Sequence, residues 1–226
     1  MSSSNIGGIH LVFFDVDNTI VKGYTQKYFI KYLTNHGYLN FLSLLLGYAW
    51  FLLYRIKLVK DLNKPVNRLL SCMRGWDKEE LNFVFNDFFY KCIKDNFFQD
   101  AVEEINFHLS KKHEIFLISA SLEPIIDNIS NYLGVDNVIA TKLSISNNLF
   151  NGSVDGKVID GDEKLKYVKM VVKQYSDNQN LQTYFYSDHC SDYPLLKFVD
   201  HPNVVNPDKH FKKVALREAW RILQYK

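Results

Sequence analysis

A chain of 226 residues is long enough to bury a sizeable core, as one large domain or a domain with a small insertion, and its 47% hydrophobic and 23% charged residues are ordinary globular values. Twenty-seven basic side chains against 25 acidic ones leave a net charge of +2, which excludes a nucleic-acid footprint. Three cysteines, Cys72, Cys92 and Cys190, stand far apart and outside any Cys-x-x-Cys pair, against a disulfide framework or zinc site and in keeping with a reducing cytosol.

Met1–Gly8 has neither the basic start nor the apolar core of a signal peptide and reads as a short loose tail of a cytoplasmic protein. Ile9-His-Leu-Val-Phe-Phe14 then forms an almost continuous apolar run, the pattern of a strand buried on both faces of a parallel sheet. It ends in Asp15-Val-Asp17-Asn-Thr19, where two carboxylates project to the same side of extended chain. Open α/β sheets bind ligands beyond the carboxyl ends of their strands. Paired carboxylates repel, and a divalent cation is the usual reason to keep two together. Such a pair also suits a nucleophile beside a proton carrier. As bare chemistry, the same residues also favour a plain turn.

From Tyr24 to about Phe98 the periodicity is helical. Tyr28, Phe29, Tyr32 and Leu33 make one stripe, closed by Gly37. Tyr38–Tyr54 is a run of seventeen uncharged residues, short of the roughly 20 usual for a bilayer span. Six basic residues and one acidic residue, Asp61, follow between Arg55 and Arg74. An apolar helix beside a basic stretch is compatible with peripheral contact to an anionic membrane, although a solvated face on a packed helical block is the simpler reading. Asp77 and Glu80 have the spacing of a capping box, followed by Leu81, Val84, Phe85, Phe88, Phe89, Cys92 and Ile93 at helical intervals.

From Asp100 strands and helices alternate. A helix near Ala101–Ser110 precedes a strand at Glu114–Ile118, ending in Ser119-Ala-Ser121, with Ser121 expected to cap the next helix and Gly134 to stop it. Val138–Ala140 is a short strand, and Lys142–Val158 a hairpin marked by Asn147-Asn148 and Asn151-Gly152. Asp162-Glu-Lys164 opens a helix. Gln182–Tyr186 is a strand ending in Ser187-Asp188-His-Cys-Ser-Asp192, Asn203–Val205 the last strand, and 208–223 a closing helix. This rhythm predicts an α/β fold, a mostly parallel sheet with helices on both faces.

Asp15 with Asp17, Ser119, Lys164, and Asp188 with Asp192 each fall at a strand end or helix start. Singly they read as turn, cap, solvated lysine and surface loop. Together they supply the parts of a phosphoryl-transfer site. In that order they resemble the haloacid-dehalogenase-like superfamily, and within it the phosphoserine-phosphatase branch. Asp15-Val-Asp17-Asn-Thr19, Ser119-Ala-Ser121, Lys164 in Gly-Asp-Glu-Lys-Leu, and Asp188-x-x-x-Asp192 match its four motifs, over a core from about Ile9 to Leu223.

The resemblance implies a Rossmann-like core at 1–22 and 99–226, with an all-helical cap inserted at 23–98. It further implies a Mg²⁺-dependent phosphatase acting on a small phosphomonoester. Asp15 would be the nucleophile and Asp17 the general acid and base. Ser119 and Lys164 would bind the phosphoryl oxygens. The Asp15 carboxylate, the Asp17 carbonyl and Asp188 would hold the metal, with Asp192 in support. A phosphotransferase or phosphomutase of the same superfamily is the enzymatic alternative, and a non-catalytic binding module the other. The sequence departs from the phosphoserine-phosphatase pattern at Tyr24, where a Glu is usual, at Ala120-Ser121, where Gly-Gly is usual, and at His189 and Ser191. Tyr24 and His189 are therefore candidate substrate-pocket residues, and phosphoserine is placed in doubt. A transmembrane crossing is not expected, since it would separate Asp15 from Ser119.

Overall fold

The computed structural model describes residues 8–39, 42, 44, 45, 49 and 62–226. Most of the uncharged run Tyr38–Tyr54, and the basic stretch up to residue 61, lie outside the described residues. Among those described, no helix is long and apolar enough to cross a membrane.

Seven strands form one sheet: β1 (His10–Phe14), β2 (Glu114–Leu122), β3 (Asn137–Ser146), β4 (Leu149–Asp155), β5 (Gln182–Ser187), β6 (His201–Val205) and β7 (Arg221–Leu223). Their order is β4-β3-β2-β1-β5-β6-β7. All pairs are parallel except the β3–β4 hairpin. β1 lies at the centre and is buried on both faces, which is why it reads as an unbroken apolar run.

Alternate residues of β1 enter two cores. Val12 and Phe14 pack with α4 (Gln99–Ser110), α5 (Glu123–Leu133) and the helical block after β1. Leu11 and Phe13 pack on the other face with α6 (Asp162–Gln174), α7 (Tyr193–Leu196) and α8 (Lys209–Arg217). The block comprises α1 (Thr25–Asn35), α2 (Asn63–Leu70) and α3 (Lys78–Phe88), the last continuing as a π-helical turn at Phe89–Ile93. Asp77 and Glu80 form the expected capping box. The stripe of α1 meets α3 through Phe29, whose ring lies 5.1 Å from Phe85 and 5.0 Å from Phe88.

Four expectations change. β2 runs on to Leu122, so Leu122 and not Ser121 precedes α5, and the Ser121 hydroxyl is used elsewhere. Val138–Ala140 belongs to one long β3 that pairs with β2 and then with β4, turning at Asn147 and Asn148, both with positive φ. Gly152 lies within β4 instead of marking a turn. The closing helix ends at Arg217. Ala219 turns through φ +56°, and Ile222 and Leu223 then pair with β6 as a seventh strand. Three residues are too few to show alternation in sequence, and Phe211, Ala215 and Ile222 keep the helical spacing going.

Candidate active site

The sheet register brings the motif residues together. Phe14 is paired with Leu117 of β2 and Tyr186 of β5. Asp15 therefore leaves β1 at the same end at which Ser119 follows Leu117 and Asp188 follows Tyr186. The Asp15 amide donates to the Tyr186 carbonyl at 2.9 Å, which fixes the start of the loop. α6 delivers Lys164 from the opposite layer. Its side chain is buried, and its ammonium donates to Asp15 Oδ1 at 2.7 Å and to Asp192 Oδ2 at 2.9 Å.

The other groups support this triad. Ser187 Oγ donates to Asp192 Oδ2 at 2.7 Å. Ser119 is buried, and its Oγ accepts the Ser121 amide at 3.0 Å. Asp17 Oδ1 accepts the Thr25 amide at 2.7 Å, tying motif one to the first turn of α1. Thr25 and Ser187 were not visible as functional in sequence, because neither falls within the motif spacings. Asp188 is half-buried. His189 Nδ1 lies 2.9 Å from Ser191 Oγ and accepts the Ser191 amide, so it shapes the turn between Asp188 and Asp192. Tyr24 is 42% exposed just before α1, with Lys27 Nζ 4.5 Å from its ring centre.

Electrostatically the site is short of positive charge. Burial, with the Asp192 and Asp17 charges adding to it, raises the Asp15 carboxyl to about 7 despite Lys164. Burial and then Asp15 and Asp192 raise Asp188 to about 8. Asp17 is also raised by burial, against hydrogen bonds from Thr25 and Gln26. Burial would lower the Lys164 pKa, but Asp15 and Asp192 reverse this and hold the ammonium above its ordinary value. Among the described residues, one lysine faces four aspartates, and Asp192 Oδ1 is buried without a hydrogen-bond partner. No three His, Cys, Asp or Glu side chains converge as a ready-made cage among the described residues. A hard cation held by two carboxylates and a main-chain carbonyl, with water completing its shell, needs no such cage, and it meets both the charge deficit and the orphan oxygen.

A family model described as haloacid dehalogenase-like hydrolase matches residues 12–197, from β1 through α7. The chain belongs to that family. Among its relatives, a probable phosphatase of Mycobacterium tuberculosis is 27% identical over 94% of this chain and 74% of its own length. A histidinol-phosphatase of Neisseria meningitidis is 27% identical over 96% of this chain and 99% of its own. A Bordetella pertussis protein of unknown function has the same fold, with a TM-score of 0.84 at 20% identity, over 96% of this chain and 99% of that one. A phosphoserine phosphatase, solved as a phospho-aspartyl intermediate analogue, gives a TM-score of 0.65 at 16% identity, over 97% and 95%. As a haloacid dehalogenase-like hydrolase, the chain shares its fold with a phosphoserine phosphatase, and it is similar in sequence to proteins named as phosphatases.

Proposed function

We propose that the chain is a cytoplasmic, Mg²⁺-dependent phosphatase for a small phosphomonoester, working through a phosphoaspartyl intermediate on Asp15. The observation that carries this is the Lys164 ammonium set between Asp15 and Asp192 at the end of the central strand. It holds one Asp15 oxygen, and the other, which among the described residues takes only a long contact from the Thr19 hydroxyl at 3.5 Å, is the attacking one. Asp15 attacks phosphorus as the ester oxygen departs, and Asp17 gives that oxygen its proton. Asp17 then takes a proton from water, which attacks the phosphoaspartate and releases phosphate. One hard displacement becomes two easier ones. Ser119 and Lys164 bind the phosphoryl oxygens. Asp15, the Asp17 carbonyl and Asp188 are the Mg²⁺ ligands of this reading, and Asp192, through its unpartnered Oδ1, backs them. Bound there, Mg²⁺ would offset phosphoryl and carboxylate charge.

Residues 23–98 act as the cap over a core of 1–22 and 99–226. Tyr24 stands where the phosphoserine-phosphatase pattern has a Glu, and its ring already carries the Lys27 ammonium, so a substrate ammonium would find no anionic partner there. Phosphoserine is accordingly a poor substrate. An apolar group or a choline-like head, which needs no anionic partner, can stack on aromatic faces instead. The test is phosphate release from a panel of metabolite phosphates with Mg²⁺. No turnover of any ester overturns the activity, and a specificity constant for phosphoserine above every other member overturns the specificity.

A further inference from the structure

Ser121 replaces a glycine of the motif-two pattern and does not cap α5, so its hydroxyl is free for another task. That hydroxyl lies 2.9 Å from Thr25 Oγ1, with Thr25 the donor. Both residues are fully buried, at 1% and 0% exposure, where an unpaired hydroxyl is costly. Three hydrogen bonds then run in series. Ser119 Oγ accepts the Ser121 amide at 3.0 Å, Ser121 Oγ accepts the Thr25 hydroxyl, and the Thr25 amide donates to Asp17 Oδ1 at 2.7 Å. The chain joins the phosphate-binding serine on β2 to the proton carrier after β1, through the first residue of α1. Gln26 adds a side-chain hydrogen bond to Asp17 from the same turn.

We propose that Thr25 and Ser121 are positioning residues for Asp17, seating the first turn of α1 on β2 so that the carboxyl faces the leaving oxygen. This rests on the reading of Asp17 as the proton donor. As the ester P–O bond breaks with its electron pair on oxygen, the Asp17 proton moves to that oxygen, leaving a carboxylate. A threonine hydroxyl has one proton, and here it is given to Ser121, so the hydroxyl anchors the residue whose amide holds Asp17. Valine at 25 keeps the shape and the amide but not that anchor.

The test uses the full-length protein with Mg²⁺, comparing 4-nitrophenyl phosphate with the best alkyl phosphate of the panel. The aryl leaving group needs little protonation and the alkyl group much. Thr25→Val should lower kcat/KM for the alkyl ester by about 10- to 100-fold, and for the aryl ester by less than about threefold. Thr25→Ser should restore the alkyl rate. Ser121→Ala should act in the same sense, and the double variant should be no worse than Thr25→Val alone, since both remove one link. Equal losses on both esters, failure of Thr25→Ser to rescue a folded protein, or multiplicative losses in the double variant would overturn the proposal. A wild type that hydrolyses neither ester overturns the phosphatase reading and this one with it; a wild type active on the esters with unaffected variants overturns only this one.

Discussion

In the proposed mechanism Asp15 is both a buried carboxylate and a nucleophile, and its neighbours decide whether it can be. Replacing it by Asn keeps the shape and removes the attacking oxygen, since an amide nitrogen cannot take the phosphoryl group. Asp15→Asn should therefore stay folded and lose more than roughly a thousandfold in kcat. Activity within tenfold of wild type would remove Asp15 from the nucleophile role. The raised carboxyls at about 7 for Asp15 and about 8 for Asp188, against an ordinary 3.8, make a second prediction. Without metal, the folded protein binds protons at these sites that the unfolded chain has already lost. These two groups therefore destabilise the fold as pH rises through that range. In the proposed reading Mg²⁺ binds the ionised form and relieves the crowding, so saturating Mg²⁺ should raise the melting temperature more at pH 8.5 than at pH 6. An equal or larger rise at pH 6 would exclude these carboxylates as the metal ligands.

The helical block and the β3–β4 hairpin are joined more firmly than α-helices resting on a sheet edge. Asn67 Oδ1 accepts the Val154 amide at 2.8 Å, Asn63 Oδ1 accepts the Val158 amide at 3.2 Å, and the Gly75 and Phe150 amides donate to Phe150 and Trp76 carbonyls, both at 2.8 Å. At the seam Gly152 has φ +79°, and a Cβ there would lie 2.9 Å from Arg74 Nε and 3.4 Å from Ser71 Cα. Gly152→Ala should thus cost about 1–2 kcal/mol in urea unfolding, from the backbone alone. A neutral result would mean that the seam yields freely. Sequence carried much of this level: the capping box at Asp77, the apolar stripe of α1 and the left-handed stop at Gly134 are local, and local signals are written in adjacent residues. The seam, the long β3 and the three-residue β7 are not, because their partners come from distant parts of the chain. The same holds at the site. Asp15, Ser119, Lys164 and Asp188 could be picked out by residue type at strand and helix ends, whereas Thr25 and Ser187 matter only through contacts that folding creates.

Across the whole molecule, a chain of rings runs from the start of β1 to the residue before Asp15. His10 and His113 stack at 4.3 Å, His108 Nδ1 lies 2.8 Å from His113 Nδ1, and His108 Nε2 lies 2.9 Å from the Tyr186 hydroxyl. Tyr186 donates to Glu104 at 2.7 Å and stacks on Phe14 at 4.3 Å, one residue before Asp15. With its proton given to Glu104, Tyr186 accepts from His108 Nε2–H. On a neutral ring His108 Nδ1 is then bare and accepts from His113 Nδ1–H; a second proton there would reverse that bond and require His113 to carry its own proton on Nε2. Burial, with His113, His10 and Arg221 adding to it, lowers His108 from 6.5 to about 4. Between those values the unfolded chain takes up a proton that the fold refuses. Stability is therefore lost as pH falls through this window, by up to roughly 1.4 kcal/mol per pH unit from this one group. Asp15 and Asp188 push the other way in the same range, so wild type alone cannot isolate the effect. Comparing it with His108→Gln at matched Mg²⁺ does, because the carboxylates are common to both. The Gln variant should be the less stable at pH 7, and the gap should narrow steadily toward pH 4.5. Two urea-midpoint profiles that run parallel from pH 7 to pH 4.5 would show that His108 is not held neutral by the fold.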